Sequence, residues 1–158
     1  MLTAFAVVKD AASFELAKKE AMALKQLQQC TGIIKMHDFV THENCNLPNA
    51  YSRRGDVYIV QELGVPFLGY NELDDRADVW VDRANMMYQL TMGLLAIHTR
   101  GWMHRDLTRR NLLLSREERD RAMICDFGLI HFNTHHNDPY FGDVRSRPPE
   151  VTPSVHVS

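Results

Sequence analysis

The stretch His104-Arg105-Asp106-Leu107-Thr108-Arg109-Arg110-Asn111, followed after two short apolar pieces by Asp126-Phe127-Gly128, decides how the rest of the chain is read. The apolar pieces, Leu112-Leu113-Leu114 and Ala122-Met123-Ile124-Cys125, read as short strands joined by the charged turn Ser115–Arg121. Upstream, periodicity predicts a long helix from about Asp78 to Thr99, with Val81, Ala84, Tyr88, Thr91, Leu95 and His98 along one stripe. Gly101 stands where a helix terminator is expected.

Further outward, Val57-Tyr58-Ile59-Val60 reads as a strand ended by Glu62, Gly64 and Pro66, after a polar loop over 41–56. Ile33 to Val40 reads as another strand. A helix is predicted from Ser13 to Gln29, because Phe14, Ala17, Ala21, Leu24 and Leu27 recur at three- and four-residue intervals. Ser13 is its expected N-cap and Gly32 its stop. Residues 4–9, AFAVVK, read as a buried strand. The tail from His131 is polar and Pro-rich, without periodicity. This order of elements predicts an α+β arrangement rather than a regular βαβ series.

Composition excludes several classes. With 45% hydrophobic and 24% charged residues in 158, the chain has the make-up of a globular protein with its own core. A formal charge of −2 gives no electrostatic footprint for nucleic acid. No stretch approaches the roughly 18 apolar residues of a membrane span, so the expectation is no membrane and a soluble, cytoplasmic or otherwise intracellular protein. Cys30, Cys45 and Cys125 are odd in number and widely spaced, which favours reduced thiols. His37, His42 and Cys45, or His135 and His136 with Cys125, lack paired zinc-ligand spacing.

The decisive stretch resembles the H-R-D-L-x-x-x-N catalytic loop and the D-F-G segment of protein kinases. Ala6-Val7-Val8-Lys9 is similar to the family's V-A-I-K strand, and Pro149-Glu150 to the P-E ending of its activation segment. Arg147 and Asn111-Leu112-Leu113-Leu114 lean toward the cyclin-dependent and MAP kinase branch of serine/threonine type. The resemblance implies a two-lobed α+β fold, with 1–63 from the small lobe and 64–158 opening the large lobe. It implies ATP and Mg as cofactors, a protein substrate and an activating partner protein. Phosphoryl transfer asks for positioning and charge neutralisation, which explains the residue types. Asp106 matches the base that accepts the hydroxyl proton. Asn111 and Asp126 match the magnesium ligands, and Lys9 the lysine on the α/β-phosphates. Glu20 matches the partner that orients Lys9, with Glu15 available on the same helix. Backbone groups around Glu62, Leu63 and Gly64 match the hinge that reads adenine, with Val7 and Leu113 sandwiching the ring. Arg105 suggests control by an anion on the activation segment, where Thr134, Tyr140 and Ser146 are acceptors. His104 and Phe127 are expected as core links between the lobes.

The pattern also departs from the family. It covers Ala4 to Glu150 and lacks the Gly-rich loop ahead of Lys9 and the helices after Glu150. The expected fold is therefore incomplete, with a small lobe lacking its first strands and a large lobe lacking its later helices. Thr108 stands where serine/threonine members carry a phosphate-contacting Lys. The alternative reading is a catalytically weak or inactive kinase-like binding module, a pseudokinase or truncated gene product.

Overall fold

The computed structural model describes residues 3–8, 11–41, 57–66, 77–118 and 120–132. Its strands are β1 (Thr3–Val8), β2 (Met36–Thr41), β3 (Val57–Glu62), β4 (Gly64–Pro66), β5 (Trp102–Met103), β6 (Leu112–Ser115), β7 (Ala122–Ile124) and β8 (His131–Phe132). The helices are α1 (Ala11–Leu27), α2 (Ala77–Thr99) and a 3-10 turn, Arg109–Asn111. Among the described residues these strands form three antiparallel sheets, in the orders β1-β3-β2, β4-β6-β7 and β5-β8. This is an α+β fold. The first sheet ends at Glu62 and the second begins at Gly64, so a single residue, Leu63, carries the chain between them.

One core joins these sheets. Ala17, Leu24 and Leu27 of α1 pack with Val57 and Ile59 of β3, Met86, Leu90 and Ile97 of α2, and Leu114, Met123 and Ile124 of the β6–β7 ribbon. Phe127, fully buried, sits in the same cluster. Each of these Val, Leu, Ile, Met and Phe side chains contributes on the order of 1.5–3 kcal/mol of burial.

Three sequence expectations need correction. Helix α1 begins at Ala11, so Ser13 lies inside its first turn rather than capping it. Strand β2 begins at Met36, because Ile33 is drawn into a parallel bridge with Ile124 of β7. The third concerns α2. Val81, Tyr88 and Leu95 of the expected stripe are 68%, 61% and 51% exposed. The buried row is Met86, Leu90, Gly93 and Ile97, on the opposite side of the helix. Both rows satisfy a helical period, and only the position of the core chooses between them. The expected loop over 41–56 lies, beyond Thr41, outside the described residues.

Two glycines let the connector after α1 reach β7. Gly32 adopts φ +76, a backbone region that glycine enters at little cost. A Cβ on Gly93 of α2 would come within 2.6 Å of the Gly32 carbonyl oxygen. The contact is backbone on both sides, so neither partner yields easily. Gly93→Ala is expected to cost about 1–3 kcal/mol by overpacking. Urea unfolding checks this: a lower midpoint at unchanged slope is expected, and a midpoint equal to the parent's rejects the close approach.

Candidate functional site

The site is built at one end of the β6–β7 ribbon. Because Leu112 pairs with Ile124, the residue before β6 and the residues after β7 emerge side by side. The Cys125 N–H donates to the Asn111 carbonyl at 2.9 Å. The loop ahead of β6 is wound tightly, with Thr108 N–H bonded to the Asp106 carbonyl and Asn111 N–H to the Thr108 carbonyl. This winding returns the buried Asn111 side chain to Asp106. Its Nδ2 donates to the Asp106 carbonyl and to Asp106 Oδ2, both at 2.8 Å. Asp106, Asn111 and the start of Asp126 thus come together.

His104 ties the same pieces from behind. The ring is buried, its Nε2 lies 3.0 Å from the Cys125 carbonyl, and the Asp106 N–H donates to Nδ1 at 3.3 Å. A nitrogen that accepts from an N–H carries no proton, so the ring proton sits on Nε2 and is donated to Cys125. Burial holds the His104 pKa below its ordinary value, against the opposing pull of that bond and of the Asp126 and Asp106 charges. The imidazole stays neutral and meets the Phe127 ring edge-on at 5.0 Å. Arg105, at φ +64, directs its Nε–H to the Leu129 carbonyl at 2.8 Å.

Helix α1 supplies the third carboxylate. Glu20 Oε1 accepts the Phe127 N–H at 3.3 Å. Asp126 is exposed, at φ +61, and its Oδ1 accepts the Gly128 N–H at 3.4 Å. A Cβ on Gly128 would lie 3.3 Å from Asp126 Oδ1 and 3.7 Å from Glu20 Oε2, so the two acids approach that residue together. Desolvation first, then the Asp126 charge, pushes Glu20 up to about 7, with the Phe127 bond acting the other way. Burial, reinforced by the charges of Asp126 and Glu20, pushes the Cys125 thiol up to about 12, so it stays protonated. Glu15, the other acid considered on α1, is exposed. Lys9 lies outside the described residues, and of Val7 only the backbone is described, paired with Tyr58.

The expected hinge is also held from below. Glu62 N–H and Leu63 C=O already have backbone partners, the Lys35 carbonyl and the Arg116 N–H. Gly64 lies against Leu113: a Cβ there would meet the Leu113 side chain at 2.7 Å. The Glu62 side chain accepts the Lys35 N–H and pairs with Arg121, which also reaches Glu118. Sequence reasoning missed this pair, and no local signal marks it, since Glu62 and Arg121 are 59 residues apart.

The sequence profile described as the protein kinase domain matches residues 5–158. The chain belongs to the protein kinase family. It is 30% identical over 136 residues to mitogen-activated protein kinase 4 of Mus musculus, an overlap of 82% of this chain and 22% of that protein. Mitogen-activated protein kinase 10 of Arabidopsis thaliana is 37% identical over 111 residues, 66% of this chain and 28% of the relative. Serine/threonine-protein kinase ICK of Rattus norvegicus is 32% identical over 133 residues, 83% of this chain and 17% of the relative. The chain therefore spans between 17% and 28% of the length of these relatives.

The family uses ATP with magnesium, and the donor atoms suit that ion. With Nδ2 of Asn111 bonded to Asp106, the amide oxygen Oδ1 is the end left to serve as a metal donor, on a residue whose backbone carbonyl is bonded to the N–H of Cys125, the neighbour of Asp126. An amide oxygen and a carboxylate are the hard donors magnesium takes. Among the described residues no group of three or more His, Cys, Asp or Glu forms a metal cage. No helix among the described residues is long and apolar enough to cross a membrane.

A carboxyl raised from 4.5 to about 7 binds its proton more readily folded than unfolded. The Glu20 contribution to stability is therefore full below pH 4.5 and is lost as pH rises through 7. Glu20→Gln, which keeps an acceptor for Phe127, is expected to raise stability at pH 8 by up to about 3 kcal/mol. At pH 4, below the ordinary carboxyl value of 4.5, the gain should nearly vanish. Denaturant titrations at both pH values check this, and an equal effect at each would reject the shift.

Proposed function

We propose that the chain transfers the γ-phosphate of ATP to a Ser or Thr hydroxyl of a protein substrate. Asp106 orients that hydroxyl and accepts its proton. Asn111 Oδ1 and the Asp126 carboxylate would hold magnesium, which when bound neutralises charge on the phosphates. The observation that carries this reading is the Asn111 amide, whose one end is bonded to Asp106 Oδ2 and whose backbone carbonyl is bonded to Cys125 beside Asp126. One residue thereby fixes the spacing between a proton acceptor and the start of a metal-binding segment. Positioning of this kind is most of what phosphoryl transfer requires of a protein.

The remaining site residues take supporting roles. Glu20 orients Lys9 toward the α/β-phosphates. The backbone at Glu62–Gly64 meets the adenine edge, between Val7 and Leu113. Arg105, already turned toward Leu129, answers an anion on the following segment. Preference for Ser or Thr is supported by the serine/threonine kinase among the relatives. An activating partner protein fits the same reading.

Asp106→Asn tests the proposal directly. The variant should lose about 10²–10⁴-fold in kcat, while ATP and magnesium together still raise the melting temperature as in the parent. Unchanged turnover rejects Asp106 as the base. No stabilisation of the parent by millimolar nucleotide rejects catalysis in favour of a non-catalytic binding module, since ligand bound only to the folded chain must stabilise it.

A further inference from the structure

Helix α1 touches the β5–β8 ribbon with two polar side chains that the site does not use. Lys19 and Gln26 are seven residues apart, two turns of helix, and so share a face. Lys19 Nζ lies 3.4 Å from His131 Nδ1, and Trp102 Nε1–H donates to Gln26 Oε1 at 3.4 Å. Lysine has only donors, so His131 Nδ1 is the acceptor. Trp102 is in β5 and His131 in β8, and these strands pair through Trp102↔Phe132 and Met103↔His131. The Trp102 and Phe132 rings meet edge to face at 5.4 Å. One face of α1 is thus fastened to both strands of a ribbon that is itself closed by an aromatic pair.

Glu20 is the residue after Lys19, and its carboxylate accepts the Phe127 N–H a few residues ahead of β8. We propose that the β5–β8 ribbon fixes the rotational setting of α1, which the core and the Ile124 connector hold in place, with Lys19, Gln26, Trp102 and His131 acting as positioning residues for Glu20. This rests on the reading of Glu20 as the group that orients Lys9. Each contact is a single hydrogen bond, so neither holds the helix alone. Their i,i+7 spacing resists rotation of α1 about its axis, the motion that would carry Glu20 away from Phe127. A change in the chain after His131 that opened the ribbon would release both contacts together.

The test uses Lys19→Met, Gln26→Leu and Trp102→Phe, with Gln26→Glu as the conservative variant that keeps an acceptor for the indole. Amide hydrogen exchange in the Lys19→Met/Gln26→Leu double variant should speed exchange of the Phe127 N–H several-fold. The Cys125 N–H, held by Asn111, should exchange as in the parent. Unaltered Phe127 exchange overturns the proposal whether or not the chain is active. In kinase assays each single variant should lose roughly fivefold in kcat/KM, the worth of one hydrogen bond. Gln26→Glu should retain the parent's value. In a Glu20→Gln background the same changes should cost nothing more, and an undiminished loss there shows that they do not act through Glu20. A Glu20→Gln variant with full activity defeats the role given to Glu20, while the exchange result still decides whether the ribbon seats α1.

Discussion

A backbone clasp at Ile124 is the constraint on which the rest of the structure depends. The Ile124 N–H donates to the Gly32 carbonyl at 2.8 Å, and the Ile124 carbonyl accepts from Ile34 N–H at 3.0 Å. These two bonds pin the connector between α1 and β2 onto β7, a strand of a different sheet. Buried peptide groups must find partners, and here pairing across the two sheets meets that need. The geometry depends on two missing side chains, at Gly32 and at Gly93 of α2, where backbone meets backbone.

The clasp also determines the site. Helix α1 ends shortly before Gly32, and Asp126 follows β7 by two residues. Anchoring both at Ile124 brings Glu20 and Asp126 close to Gly128. Burial first, and then repulsion from the Asp126 charge, make ionisation of Glu20 costly, which is why the Glu20 carboxyl holds its proton toward neutral pH. The arrangement is stable to the extent that a cation or a proton offsets that repulsion.

Around these charges the supporting groups are neutral. His104 is held unprotonated at Nδ1 by the Asp106 N–H, Cys125 keeps its thiol proton, and Asn111 bonds through an amide. Neutral hydrogen bonds fix Asp106 without competing with it for charge. The Glu62–Arg121 pair does similar work at the other end of β6–β7, where it ties the strand leading into Leu63 to the turn before β7.

The sequence by itself singled out the candidate site residues and how the nearest of them meet. Asn111 stands five residues after Asp106 in a segment short enough that one tight turn closes the pair, so local chain geometry sufficed. The apolar pieces flanking that segment made the β6–β7 ribbon legible, and helix and strand periods marked α1, α2 and β3. Only the tertiary structure decided what depended on distant partners. It turned Met86, Leu90 and Ile97 inward where an equally periodic row stays exposed, took Ile33 out of β2 to bridge Ile124, and set Glu20 rather than Glu15 against Phe127. The physical reason is the same in each case. Periodicity defines the faces of an element, but burial and backbone pairing with residues far along the chain select the face that is used.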